Sequence, residues 1–205
     1  PATFREIFMT TNQTARSIVT SLALTVAACA PWGLAAAEEP HDAQQLALVK
    51  ALPQSKHALI DGIKQVTKGN EVAISAKLEF DDAGKLSLSV YTVEKGLNSD
   101  AEHNVLKELS GSPVQDKWNP EVEVFKDIPH VARSSEQLSL MRLSPFTLVD
   151  ILTKARKANR GTVFSIAPVI KGHKPVFVVL VATGAGKVSE LDYNLLDASL
   201  LASSQ

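Results

Sequence analysis

The sequence predicts an α+β protein made of two helix-plus-antiparallel-sheet units in tandem, packed together. Three observations carry this reading. Two stretches of the chain share the order helix, hairpin, glycine turn and further strand. Their residues agree at a constant offset. Their strands alternate polar and apolar side chains, the mark of antiparallel sheet. The offset is 89: Ser55, Leu59, Ile60, Asp61, Lys68 and Asn70 precede Ser144, Leu148, Val149, Asp150, Lys157 and Asn159 by that interval. Residues 45–50 are echoed by 137–142 at a slightly different spacing.

Ahead of these units lies a targeting segment, residues 1–37. Residues 1–8 precede the first methionine and read as upstream of the natural start at Met9. Arg16 ends a short polar stretch, and residues 18–30 form an apolar run of 13. Pro31, Trp32 and Gly33 break it, and Ala35 and Ala37 stand before Glu38. A run of that length suits the core of a signal peptide, and small residues at Ala35 and Ala37 suit a signal peptidase cutting between Ala37 and Glu38. It falls short of the ~18 apolar residues that span a bilayer. A second reading stays open: Val26, Ala27, Ala28 and Cys29 form a lipobox-like run, in which lipid attached to Cys29 anchors the mature chain to a membrane.

The first unit with its linking region covers residues 38–136. Ser55 is placed to cap a helix whose apolar face is Leu59, Ile60, Ile63 and Val66. Gly69 and Asn70 stop it. Val72, Ile74, Ala76, Leu78 and Phe80 make one side of a strand, Asp81 to Gly84 a turn, and Leu86, Leu88 and Val90 the next strand. One polar side on each strand predicts a sheet covered on a single face, with the helix as its cover. In the linking region Ala101, Val105, Leu106 and Leu109 suggest a short helix ending at Gly111; residues 121–125 alternate as an edge strand, and Pro129 and His130 close it.

The second unit covers residues 137–205. Ser144 as cap and Pro145 at the first helical position predict a helix with Phe146, Leu148, Val149, Leu152 and Ala155 inward. A strand over 163–170, a turn at 171–174 and an unbroken apolar strand over 176–181 follow, the last predicted to be central and more fully buried than its counterpart. Residues 183–186 turn into a final strand over 188–194.

Composition narrows the function. The chain of 205 residues is 45% hydrophobic and 21% charged, an ordinary globular balance. With residues 1–37 removed it keeps 19 basic and 21 acidic side chains, without the concentrated positive field that nucleic-acid binding needs. Cys29 is the only cysteine, so the mature part has no thiol for a disulfide or a metal.

Chemical motifs are absent. His41, His57, His103, His130 and His173 never stand at metal-ligand spacing. Gly-x-Ser-x-Gly is missing throughout. Residues 183–187 read Thr-Gly-Ala-Gly-Lys, but Val181 stands where a phosphate loop needs glycine, and a strand follows instead of a helix. Asp81 and Asp82 are explained by turn chemistry. Lys154, Arg156, Lys157 and Arg160 cluster at a helix C-terminus, where cations meet the macrodipole, and they are also candidates for binding a partner. Trp118, among Lys117, Asn119 and Pro120, is either a core residue or an exposed anchor for a partner.

The helix over 58–66, the strands over 72–80 and 86–93 with their turn, and the second copy over 147–194 resemble the PepSY domain family. The tandem arrangement also resembles β-lactamase-inhibitor-like proteins. The resemblance is one of pattern over most of 42–96 and 137–196. It implies a non-catalytic module that binds protein or peptide outside the cytoplasm, often inhibiting peptidases, with no active-site residues to carry over. No cofactor is expected, and the partner is an unidentified extracytoplasmic protein or peptide. A small-ligand carrier with a cavity between helix and sheet is the alternative reading, and a hydrolase whose site assembles only in space a third. Mass spectrometry of the exported chain is expected to find Glu38 as the first residue; a lipid-modified Cys29 at the N-terminus establishes the anchored form instead.

Overall fold

The computed structural model describes residues 40–204, so Cys29, Ala35, Ala37 and Glu38 lie outside the described residues. The chain runs α1 (Pro40–Ala51), α2 (Leu59–Val66), β1 (Val72–Phe80), β2 (Leu86–Val93), β3 (Leu106–Gly111) and β4 (Glu121–Val124). The same order then recurs as α3 (Ile128–Leu143), α4 (Leu148–Ala158), β5 (Thr162–Lys171), β6 (Lys174–Ala182), β7 (Val188–Asn194) and β8 (Leu200–Ser204). All eight strands join in one antiparallel sheet ordered β4-β3-β2-β1-β5-β6-β7-β8. The α+β class read from the alternation therefore holds. The two sets of strands fan outward from a shared seam, where Ala76 faces Ile166 and Lys77 faces Ser165.

Alternation decides which side of each strand is buried. Leu78 pairs with Leu88 and Ala76 with Val90, and these apolar pairs face α2, whose Gly62 lies against Leu88 and Val90. A Cβ on Gly62 would stand 2.8 Å from the Leu88 Cδ2 atom, so a larger residue here would have to push the Leu88 side chain aside or hold the helix farther from the sheet. Leu59, Ile63 and Val66 of α2, with Leu148, Ile151, Leu152 and Ala155 of α4, complete this core at the period of a helical face.

The sheet is covered on both faces, not on one as the polar alternation predicts. Ser75 and Lys77 point away from α2, and α3 lies against that second face: the Ser75 hydroxyl donates to Gln137 Oε1 at 2.8 Å. Leu138 and Met141 of α3 are buried. A helix on a polar strand face is tolerated because the buried hydroxyl finds a side-chain partner. With this cover β2 is buried at every position, Ser87, Ser89 and Thr92 included. The apolar run in β6, predicted to be the more buried strand, instead alternates, with Val178 and Leu180 half-buried.

Three further expectations change. The spacing of Leu106 and Leu109 belongs to strand β3, because Leu109 pairs with Val90 and Leu106 with Val93; an interval of three shares one face of a helix but puts the two leucines on opposite faces of a strand, where a sheet covered on both sides buries each. The boundary drawn at residues 136/137 falls inside α3, which starts at Ile128 with Asp127 as its cap. Ser55 and Ser144 do not N-cap α2 and α4: each accepts the backbone N–H two residues on, from His57 and Phe146, and closes a turn before the helix.

The true caps are Ala58 and Thr147, again 89 apart. In α4 the Thr147 hydroxyl accepts from the Asp150 N–H at 3.2 Å, and the Asp150 carboxylate accepts from the Thr147 N–H at 2.8 Å. In α2 Asp61 accepts from the Ala58 N–H at 3.0 Å, but alanine has no oxygen to answer with. Hydrogen bonds from Thr147 hold the Asp150 carboxyl below its ordinary value of 3.8, so its contribution is complete above that pH and is lost as the pH falls through the lowered value. Ala58→Thr is expected to stabilise the protein by about 0.5–2 kcal/mol and Thr147→Ala to destabilise it by as much, measured by urea unfolding at neutral pH; the Thr147→Ala deficit shrinks in acid.

Candidate binding face

The part of the second sheet face not covered by α3 forms a polar concavity of about 450 Å3. Strand register assembles it. Ser75, Tyr91, Glu108 and Glu123 stand side by side on β1, β2, β3 and β4, and Lys77, Ser89, Ser110 and Glu121 form the next row. Glu79 and Ser87 form a third. Antiparallel pairing thus brings to one surface residues drawn from four strands and separated widely in sequence.

The wall is aromatic. The Tyr91 ring stacks on Phe125 at 5.9 Å between centroids, and Phe125 on His130 of α3 at 4.9 Å. His130 Nδ1 lies 2.7 Å from Asp127 Oδ2, which fixes the imidazole at the start of the helix. Lys77 Nζ sits 5.5 Å from the Tyr91 centroid and 2.5 Å from Glu79 Oε2, so this cation is already paired within the concavity. Burial pushes the Tyr91 phenol far above its ordinary range, and the Glu79 and Glu108 carboxylates add to this, while Arg133 on α3 opposes it. The phenol therefore stays protonated, a hydrogen-bond donor. Asp81 is occupied with its own turn, accepting from the Ala83 and Lys85 N–H groups, so the reading of Asp81 and Asp82 as turn residues fits what Asp81 does.

Glu108 and Glu123 differ from the other acids. They are direct cross-strand partners of like charge, a pairing that costs stability, and among the described residues neither forms an ion pair with a basic side chain. In the second half of the sheet, acids on the same face are compensated: Lys171 reaches across to Glu190 and, at 2.7 Å, to Asp192.

The candidates named from sequence fare differently. Trp118 is 1% exposed, and its indole N–H donates to the Gly111 carbonyl at 3.1 Å, so it is a core residue and not a partner anchor. The basic residues of α4 do not form one patch. Lys154 donates to the Ala198 carbonyl, just as Gln65, its counterpart 89 residues earlier, donates to the Trp118 carbonyl at 2.7 Å. Arg156 lines a recess of about 190 Å3 with Leu59, Leu152 and Gly161, while Lys157 and Arg160 are simply exposed. Among the described histidines, His57 meets the Gln115 carbonyl and His103 meets Asp100, and no group of three potential ligands among the described residues is placed to hold a metal.

Glu79, Tyr91, Glu108 and Glu123 carry the concavity and were not singled out from sequence. The only signal was negative: Glu121 and Glu123 alternate with valines on what reads as an edge strand. Glu123→Gln is expected to raise stability by roughly 0.2–1 kcal/mol in low salt, with less gain in high salt, as relief of like-charge pairing requires. Trp118→Ala is expected to cost about 3–5 kcal/mol in the same unfolding assay.

No protein-family model and no curated protein matches the chain. Among solved structures, a candidate lipoprotein of Clostridium difficile 630 aligns over 73% of this chain and 93% of its own, at 11% identity and a TM-score of 0.37, a likeness too slight to argue from.

Proposed function

We propose that the protein is exported and works outside the cytoplasm as a non-catalytic binding module, with the acid-lined concavity as the surface a protein or peptide partner occupies. The observation that carries this is the uncompensated Glu108–Glu123 pair beside a buried Tyr91 on an accessible sheet face. Sheets whose polar face serves only as solvent boundary have no need of like charges set opposite each other. Export is supported by the apolar run at 18–30 and the small residues at Ala35 and Ala37. Among the described residues no helix is long and apolar enough to cross a membrane. The PepSY-like order of elements supports the same role.

The carrier reading has less to rest on. The recesses between α2 and α4 have volumes of about 190 and 180 Å3, below the roughly 300 Å3 at which small-molecule pockets usually begin.

The test is affinity capture from extracytoplasmic extract on the immobilised chain. A partner held by the wild type and by Lys157→Glu, but released by the double variant Glu108→Lys, Glu123→Lys, is the expected result. A partner retained by that double variant removes the concavity from the proposal.

A further inference from the structure

The chemistry of the concavity and the geometry of its rim together specify a kind of ligand. We infer that the partner presents an extended segment bearing lysine or arginine at alternate positions, with apolar residues between, and that this segment adds as a further strand to the outer edge of β4. The inference rests on the binding-module reading and deepens it.

Backbone geometry comes first. The Phe125 N–H donates to the Leu106 carbonyl at 3.0 Å. Hydrogen-bonded and non-hydrogen-bonded pairs alternate along an antiparallel ladder, so Glu123 and Glu121 turn their backbone groups toward β3. Val122 and Val124 turn theirs outward. All four residues of β4 are exposed, and it is the terminal strand of the sheet. Unpaired N–H and C=O groups on such a strand are a template for another chain.

Side-chain register then sets the sequence the edge prefers. An added strand lies about 4.8 Å away, and its alternate side chains, about 6.8 Å apart, share one face. On the concave face they meet Glu121 and Glu123, which have the same spacing of two, and a long cationic side chain at the second position reaches on toward Glu108. On the other face they meet Val122 and Val124, which are 58% and 46% exposed and suit apolar neighbours. One strand therefore asks for charge and grease in alternation.

Two features make the acids more than a charged patch. Ser89, 1% exposed, lines the concavity between Lys77 and Ser110 and adds a neutral hydroxyl residue beside the acids. The opposite edge of the sheet supplies a contrast: β8 is equally exposed, but the nearby acids Glu190 and Asp192 are already neutralised by Lys171. Charge complementarity is unfilled at one edge and satisfied at the other.

The experiment measures binding of fluorescent octapeptides to the full chain by anisotropy. The probe alternates lysine and valine. Its controls alternate glutamate and valine, or carry a central proline, and spermine serves as a free polycation. The lysine–valine peptide is expected to bind, at least tenfold more tightly than either control peptide, and to weaken at least tenfold between low and high salt. The same loss is expected in Glu123→Gln and in Val122→Pro, which removes only an outward N–H and keeps the β3 ladder. Circular dichroism and the thermal midpoint verify that both variants fold. Equal binding of the glutamate peptide overturns cation selection, and displacement by spermine at equivalent charge overturns strand addition. A natural partner that depends on Glu108 and Glu123 but ignores Val122→Pro overturns strand addition and leaves the binding-module reading standing, whereas indifference to both sets of variants overturns the two together.

Discussion

The seam between β1 and β5 is the constraint on which the rest of the molecule hangs. Either half taken alone would leave a long, largely apolar strand with an open edge, the arrangement that sheet proteins avoid. Joining β1 to β5 removes both edges at once and sets Ile74, Ala76 and Leu78 beside Phe164 and Ile166 in one buried surface. Four strands with one short amphipathic helix bury too little to hold together comfortably, but eight strands under α2 and α4 share one core. Fully burying each large side chain in that core is worth roughly 1.5–3 kcal/mol, which is why the shared surface dominates.

Within that plan the two halves differ most along the acid-lined face. Some equivalences persist in detail: Asp61 and Asp150 both hold the first turn of their helices, and Gln65 and Lys154 both donate to the connection between the last two strands of their half. Other positions part company. Gly62 lets α2 sink onto β2, whereas Ile151 fills the matching place in α4. Trp118 plugs the connection in the first half, and in the second the corresponding loop uses Ala198 at positive φ. The acids of β7 have a lysine to themselves, while those of β3 and β4 do not. The supporting contacts thus occur in both halves, while the charge is left unbalanced in one.

The sequence made much of this legible. Strands β1, β2 and the edge strand β4 follow from alternation, β6 from its unbroken apolar run, β5 and β7 from the turns that bound them, and α2 and α4 from the helical spacing of their apolar residues. The offset of 89 gave the repetition, and it holds even at Ser55 and Ser144, although their hydroxyls close turns and do not N-cap α2 and α4. The reading of β3 failed because Leu106 and Leu109 stand at a helical interval, while a sheet covered on both faces buries them from opposite sides, and the second half was started late because α3 has few apolar residues on its early turns. The candidate face was out of reach for a different reason. Glu79, Glu108 and Glu123 are ordinary surface acids in sequence, and only the pairing order of four strands makes them neighbours. Trp118 illustrates the converse: its polar surroundings in sequence suggested display, but a loop folds it inward onto Gly111.

The path of α3 has a consequence for how the chain can come into being. This helix belongs to the second series of elements, yet it caps strands of the first, through Gln137 on Ser75 and His130 on Phe125. Any process that delivers the polypeptide from its N-terminus, whether a ribosome or a translocation channel, must release Met141 before the opening strands acquire their lid. Up to that moment the early half is a ribbon with one bare side, dependent on chaperoning or on speed. The two series of elements are therefore not beads on a string: the later one supplies part of the earlier one's cover.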